Sequence, residues 1–307
     1  MYDTVVLRKE GAFLESIPSL LYGVKEHLKD EIFYVSGYTN GGQQIWVYPD
    51  NIKFAGSLPK FHMDNNIKSI GRKQTQRAIE HLSDTFSVDF INADVTRFDV
   101  GLTVETNYTP ETYYPLMGPS GAYTRGIFKN SLYYRVEQRE KSFYDKLKDA
   151  RAKGMIIPEF LMNAHLTRFE LRYLKKILNQ LNVNSLKAHN LYDEKFYIQM
   201  LDNWFKEYQS IKKLSCMQID KNNISSPTNL ADQIMANLLQ ASGIDVVAGM
   251  DELFKQAKAL KVFDGANPSR DYQRAKDAIQ KRLSSGKDSE LIKELDAKFK
   301  DHIEFYR

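Results

Sequence analysis

Apolar and polar residues alternate most regularly over two stretches of the chain, and each alternation has the period of a β-strand. In the first, Arg97, Asp99 and Thr103 alternate with Phe98, Val100, Leu102 and Val104; in the second, Arg168, Glu170 and Arg172 alternate with Phe169, Leu171 and Tyr173. Both contain one short phrase, Thr-Arg-Phe-acid, at Thr96-Arg97-Phe98-Asp99 and Thr167-Arg168-Phe169-Glu170. Further strands are predicted over 4–7, 32–35, 44–48 and 52–55, with Asn40-Gly41-Gly42 as a hairpin signal. Residues 131–136 and 141–144 read as a hairpin with a charged tip, and 118–126 as a loop. Helical spacing appears at Leu20, Leu21, Val24 and Leu28, and at Ala78, Ile79, Leu82 and Phe86 within 73–86. Pro110 opens a short helix, and another runs from near Lys146 to Gly154.

Beyond about residue 185 the pattern turns helical, beginning with Leu191, Phe196, Met200, Trp204 and Tyr208. Residues 222–229, with Pro227, read as a linker. Three later helices are marked by Leu253, Phe254, Ala257 and Leu260, by Tyr272, Ala275, Ile279 and Leu283, and by Leu291, Leu295, Phe299 and Ile303. The expectation is an α+β fold whose largely antiparallel central sheet is flanked by helices and followed by a helical C-terminal region. The two regions are placed at 1–215 and 226–307.

The 307 residues carry a net charge of only +4, but the charge is uneven. Residues 129–176 hold twelve bases against six acids, more than the excess of the whole chain. A basic stretch interleaved with tyrosines suits phosphates and unstacked bases. Cys216 is the single cysteine, which leaves no intrachain disulfide and no cysteine metal cluster. The opening residues lack the apolar core of a signal peptide, and no run approaches the roughly 20 apolar residues that span a bilayer. A protein of a reducing cytoplasm, without a membrane partner, is expected.

Two polar strand faces are costly unless their charged groups are paired or bind something. Asp99 and Glu170 are therefore candidate metal ligands, and oxygen donors without cysteine select Mg²⁺ or Mn²⁺. Such an ion polarises a scissile phosphate. Tyr144, in the basic segment between the two phrases, is the candidate nucleophile, with Tyr133 and Tyr134 as rivals or base-stacking residues. A free phenol is about one part in a thousand phenolate at neutral pH, so Tyr144 needs a metal or a lysine to activate it. Lys146 lies two positions on, on the same face for a continuing strand. The six histidines form no close pair in sequence, and no glycine-rich loop precedes a helix, which argues against an ATPase motor.

In order along the chain, Asp3-Thr4-Val5-Val6-Leu7-Arg8, Gly56-Ser57-Leu58-Pro59-Lys60-Phe61 with Asn65-Asn66, and Thr96-Arg97-Phe98-Asp99-Val100 are followed by Asn130-Ser131-Leu132-Tyr133-Tyr134, Phe143-Tyr144-Asp145-Lys146 and Leu166-Thr167-Arg168-Phe169-Glu170-Leu171-Arg172. This ordered set, over about residues 1–176, resembles the replication initiators of the filamentous-phage gene II/X type and their plasmid relatives. The resemblance implies a site-specific DNA endonuclease and strand transferase that starts rolling-circle replication. It implies that Tyr144 attacks an origin phosphate, leaving a 5′-phosphotyrosine and a free 3′-hydroxyl, with Asp99 and Glu170 at the metal centre and Lys146 holding phosphate. The DNA contacts expected are Arg97, Tyr133, Tyr134, Arg135, Arg139, Lys141, Arg168 and Arg172. Asp149 stands where the family pattern Tyr-x-Lys-x-x-Glu has glutamate. Origin DNA in single-stranded or melted form, a host helicase and polymerase in the bacterial cytoplasm, and a second copy of the chain in a homodimer are the partners this reading brings with it. Two rivals stay open: a non-catalytic origin-binding or repressor protein, and a metal-independent tyrosine recombinase or type IB topoisomerase that attaches to the 3′ end.

Overall fold

A computed structural model describes residues 1–214, 246–262, 267–271, 273, 274, 277 and 290–307. Ten strands form one sheet: β1 (Tyr2–Glu10), β2 (Tyr22–Lys29), β3 (Ile32–Tyr38), β4 (Gln44–Val47), β5 (Asn51–Ser57), β6 (Asp94–Thr106), β7 (Thr124–Phe128), β8 (Ser131–Val136), β9 (Arg139–Asp145) and β10 (His165–Tyr173). Their order is β2-β3-β4-β5-β1-β6-β10-β9-β8-β7, with every neighbouring pair antiparallel. The expected fold class is therefore observed. The two strands with the shared phrase, β6 and β10, lie side by side at the centre, with Arg172 opposite Asp99 and Glu170 opposite Gly101.

Among the described residues the α-helices are α1 (Leu58–Met63), α2 (Arg72–Phe86), α3 (Pro110–Tyr113), α4 (Lys146–Ala152), α5 (Ile177–Leu181), α6 (Glu194–Gln209), α7 (Val246–Ala259) and α8 (Glu290–Tyr306). Alternation on β6, β9 and β10 sends Phe98, Val100, Leu102, Phe143, Phe169 and Leu171 to one face, where they join the apolar stripes of α2, α6 and α8 in the main core. Phe143 stacks on Phe169 at 4.4 Å between ring centroids, and Phe98 on Tyr173 at 4.6 Å. Trp204 of α6 closes this face, its indole N–H donating to the Phe169 carbonyl at 3.2 Å. On the opposite face a smaller cluster of Ile67, Leu147, Ala150, Leu161 and Leu166 fastens α4 over the polar side chains.

Three sequence expectations change. The helix through Leu20, Leu21, Val24 and Leu28 is instead a three-residue 3₁₀ turn, Pro18–Leu20, followed by strand β2. Val24 and Leu28 are exposed there, so their spacing reflects no buried helix face. The 118–126 loop ends early, because Thr124 begins β7. The chain also brings two histidines together that are distant in sequence: His62 Nδ1 and His81 Nδ1, on α1 and α2, lie 3.4 Å apart. The C-terminal helix α8 packs on the first region, with Ile292, Leu295, Phe299 and Ile303 buried in the main core. The 222–229 linker, Cys216 and the helix marked by Tyr272, Ala275, Ile279 and Leu283 fall outside the described residues.

Candidate active site

The face of β1, β6, β10, β9 and β8 opposite the main core carries four carboxylates and four guanidiniums in one connected array. Arg168, 1% exposed, is its hub. It donates to Glu170 Oε1 at 2.8 Å, Asp3 Oδ2 at 2.9 Å, the Asn66 carbonyl at 3.2 Å and Thr103 Oγ1 at 3.3 Å. Asp3 also accepts from Asn66 Nδ2 at 3.1 Å and from Ser57 Oγ. Arg172 bridges outward, donating to Glu170 Oε2 at 2.7 Å and Glu140 Oε1 at 2.7 Å, and lies 3.9 Å from Asp99 Oδ2. Arg97 holds Asp99 through two bonds of 2.9 and 3.2 Å, and Arg135 holds Glu140 at 2.5 Å. Desolvation on this scale is tolerable because each buried charge meets an opposite one and its remaining polar atoms are bonded.

Tyr144 enters the array from β9, opposite Arg168, and its hydroxyl donates to Glu170 Oε1 at 2.5 Å. Burial first, and the Glu170 charge second, push the phenol well above its ordinary value. Burial opposes ionisation of Glu170 as well, but Arg168 and Arg172 outweigh it and hold that carboxyl well below the usual range. Asp99 behaves differently. Burial raises it to about 6 against the pull of Arg97, and the Glu170 charge adds to the rise.

Lys146 arrives by a route the alternation did not foresee. The strand ends at Asp145, whose carboxylate caps α4 by accepting from the Leu147 and Lys148 amides. Lys146 thus sits in the first turn of a helix, yet its buried ammonium points back, donating to Asn66 Oδ1 at 3.0 Å and Asp149 Oδ2 at 3.3 Å. It lies 5.9 Å from the Tyr144 ring centroid. Burial and then the Arg168 charge lower its pKa to about 8.

Of the residues expected at the site, Arg97, Asp99, Tyr133, Arg135, Tyr144, Lys146, Arg168, Glu170 and Arg172 gather on this side of the sheet, Arg135 stacking over the Tyr133 ring at 4.5 Å. Three expected DNA contacts do not. Lys141 is fully buried on the helix-covered face, donating to Ser120 Oγ, Ser210 Oγ and the Glu207 carbonyl and pairing with the Glu207 carboxylate at 2.6 Å. Tyr134 is buried there too, its hydroxyl donating to the Gly118 carbonyl at 2.7 Å. Arg139 pairs with Glu207 and lies over the Tyr173 ring. Side chains alternate along β9, so the strand that turns Tyr144 toward the array must turn Arg139 and Lys141 away from it.

Sequence reasoning missed Asp3, Asn66, Glu140, Ser142 and Gly101. Asp3 and Asn66 lie in the 3–8 and 65–66 segments, where nothing in the pattern marks a role; Glu140 and Ser142 share the parity of Tyr144 and are legible from it. Ser142 Oγ is fully buried beside Glu170 and has no hydrogen-bond partner among the described residues. Gly101 is required by close approach: a Cβ there would lie 2.8 Å from Glu170 Cγ and 3.0 Å from Arg168 Nε.

Among the described residues, no three His, Cys, Asp or Glu side chains gather as a metal cluster. Mg²⁺ needs less than that, commonly one or two carboxylates completed by water and substrate phosphate. Asp99 and Glu170 match it in donor type and number, and the raised pKa of Asp99 marks a carboxylate whose charge the arginines do not fully compensate; both Glu170 oxygens already accept from Arg168, Arg172 and Tyr144, so an ion would take the place of one of those bonds.

A family model for phage replication-associated proteins, Phage CRI, which describes the N-terminal region of the gene II protein type, matches residues 47–207. No curated protein matches the chain.

Proposed function

The chain belongs to this family of phage replication-associated proteins, and on that premise we propose that it nicks origin DNA and later rejoins it through a phosphotyrosine at Tyr144. The observation that carries the reading is the Tyr144 hydroxyl held at 2.5 Å on Glu170, within an arginine-rich face. Because that hydroxyl proton is given to Glu170, the Oη lone pairs are left free to attack phosphorus.

In the first step Tyr144 Oη bonds to phosphorus and the bond from phosphorus to the 3′ oxygen breaks. The phenolic proton leaves along the Glu170 bond to solvent, and the departing 3′ oxygen takes up a proton. The 5′ end is then held covalently and the 3′-hydroxyl is free to prime synthesis. Reversal by a 3′-hydroxyl restores the tyrosine and rejoins the strand, because the phosphodiester energy is conserved in the adduct. Asp99 and Glu170 would hold a Mg²⁺ or Mn²⁺ ion, which when bound supplies charge compensation at the scissile phosphate. Arg172 and Lys146 hold the phosphate in line, and Arg168 fixes the rotamer of Glu170. Single-stranded or melted origin DNA is the substrate.

The test is incubation of supercoiled origin DNA with protein and Mn²⁺. Nicking with protein attached to the 5′ end is expected, and Tyr144→Phe should form neither nick nor adduct while still binding DNA. Attachment at the 3′ end, or undiminished activity in chelator, would favour a recombinase or type IB topoisomerase instead. Binding without any cleavage would leave the non-catalytic reading.

A further inference from the structure

Strands β1 to β5 continue the sheet beyond the array, and their outer face differs from it in one respect. In the array each arginine is neutralised by a carboxylate; on this wing the cations are not. One register row crosses five strands as Lys25, Ser36, Trp46, Lys53 and Arg8. Over these five strands it holds no carboxylate, and Lys25, Lys53 and Arg8 make no ion pair with any described residue; the two acids sharing the face with Arg8 are Asp94, opposite it on β6 and paired with Lys187, and the exposed Glu10, two residues on. Glu26, next to Lys25 on β2, pairs across with Val35 and so belongs to the opposite face. The row spans about 19 Å, four strand spacings of roughly 4.8 Å.

Beside the row stands a column of rings. His27 stacks on Tyr34 at 4.6 Å and 13°, and Tyr34 on Tyr48 at 4.9 Å and 26°. His27 is steadied by a 2.8 Å hydrogen bond to Ser36 Oγ, and Lys53 lies over the Trp46 ring at 4.9 Å. Trp46, Tyr34, Tyr48, His27, Lys53, Val6 and Arg8 all reach solvent, so among the described residues nothing closes this face. Half-buried rings keep their geometry before a ligand arrives, and unpaired cations wait beside them. That combination suits a strand whose bases are unstacked and whose phosphates need counter-charge. Duplex DNA would offer the phosphates but keep its bases stacked inside.

We propose that the outer face of β1–β5 is a single-stranded DNA platform, with Lys25, Lys53 and Arg8 on the phosphates and Trp46 and the Tyr34 column stacking bases. The inference deepens the proposed function by placing the unpaired strand that leads away from Tyr144. Strand β1 joins the two: Asp3 lies in the array, and Arg8, five residues on, is about 17 Å along the same strand. No more than about five nucleotides would bridge that distance at the 3.4 Å spacing of a duplex strand.

The experiment uses the full chain and fluorescein-labelled (dT)15, which involves no cleavage, so its outcome is independent of the Tyr144 assignment. Trp204 is fully buried, leaving Trp46 as the solvent-reaching tryptophan. Saturation with (dT)15 should quench tryptophan emission in the wild type, and Trp46→Phe should abolish the quench. Trp46→Ala should weaken binding about tenfold, the scale of one lost stacking contact. Lys53→Glu should weaken it and lower the salt slope by about 0.7. Unchanged Trp46 emission at saturation, wild-type affinity in the Trp46→Ala and Lys53→Glu variants, or equal affinity for a 15-base-pair duplex would each overturn the platform. Should a variant unfold, the wild-type quench still decides the matter.

Discussion

Gly101 shows how narrow the tolerance of the array is. Alanine there would press on Glu170 Cγ and on the Arg168 guanidinium, both buried and fully bonded, so neither can give way without breaking its partners. Gly101→Ala should cost about 1–3 kcal/mol in urea unfolding, the range of overpacking, and should remove most adduct formation by turning Glu170 off Tyr144. Lys146 offers a different handle. The folded protein gives up its proton near pH 8 and the unfolded chain near 10.5, so between those values the unfolded chain holds more protons. Wild-type stability should therefore rise with pH through that window relative to Lys146→Met, by up to about 3 kcal/mol, in urea melts at pH 7.5 and pH 10. At this scale the sequence was legible where alternation alone decides the face: Arg97, Asp99, Arg168, Glu170 and Arg172 stand where period two puts them. Charge is the poorer guide, since Lys141 and Tyr134 follow the same alternation to the other side. Gly101 and Asn66 were hidden because their roles exist only once β6, β10 and the 64–70 segment meet.

Among the elements, β9 and α6 are joined by a buried clamp that explains why Lys141 can be fully enclosed. Its ammonium bonds Ser120, Ser210 and the Glu207 carbonyl, and the Glu207 carboxylate neutralises it. Glu207→Gln leaves that charge buried without its counter-ion and should cost about 3–5 kcal/mol by urea unfolding. The double change Lys141→Met with Glu207→Leu should recover most of the loss, because the enclosed ammonium is gone and Arg139, the other partner of Glu207, keeps its bond to Gln180 and its access to solvent. The strands and helices that carry this clamp were readable from periodicity, as were β6, β10, α2 and the β8–β9 hairpin. β2 was not. Its turn to β3 uses Asp30 and Glu31, both left-handed with φ of 49° and 63°, where a glycine or asparagine signal would be expected. With that turn unmarked, the chance spacing of Leu20, Leu21, Val24 and Leu28 imitated a helix. The misreading mattered, since β2 supplies Lys25 and His27 to the open wing.

At the level of the whole molecule, the last helix binds the sheet to the segment that completes the site. Phe299 of α8 is fully buried between Trp204 at 5.2 Å and Tyr208 at 4.8 Å, and Glu294 accepts from the Asn107 amide at 2.7 Å and the Tyr113 hydroxyl at 2.8 Å. Farther along, the Tyr306 hydroxyl donates to the Ser69 carbonyl at 2.8 Å. Ser69 is three residues from Asn66, which bonds both Asp3 and Lys146, so α8 reaches the array through one short segment. An amphipathic pattern discloses that a helix has an apolar stripe but not which surface receives it, and here the receiver is the main core. Two substitutions separate its structural part from its local one. Phe299→Ala removes a core ring and should cost about 3–5 kcal/mol, lowering urea and thermal midpoints together. Tyr306→Phe removes one hydrogen bond and should cost about 1 kcal/mol. Because that bond ties down the 64–70 segment, Tyr306→Phe should also speed amide exchange at Asn66 and Ile67 more than in the β6–β10 pair. Uniform exchange across both regions would show that the helix supports the fold without specifically holding the segment over the site.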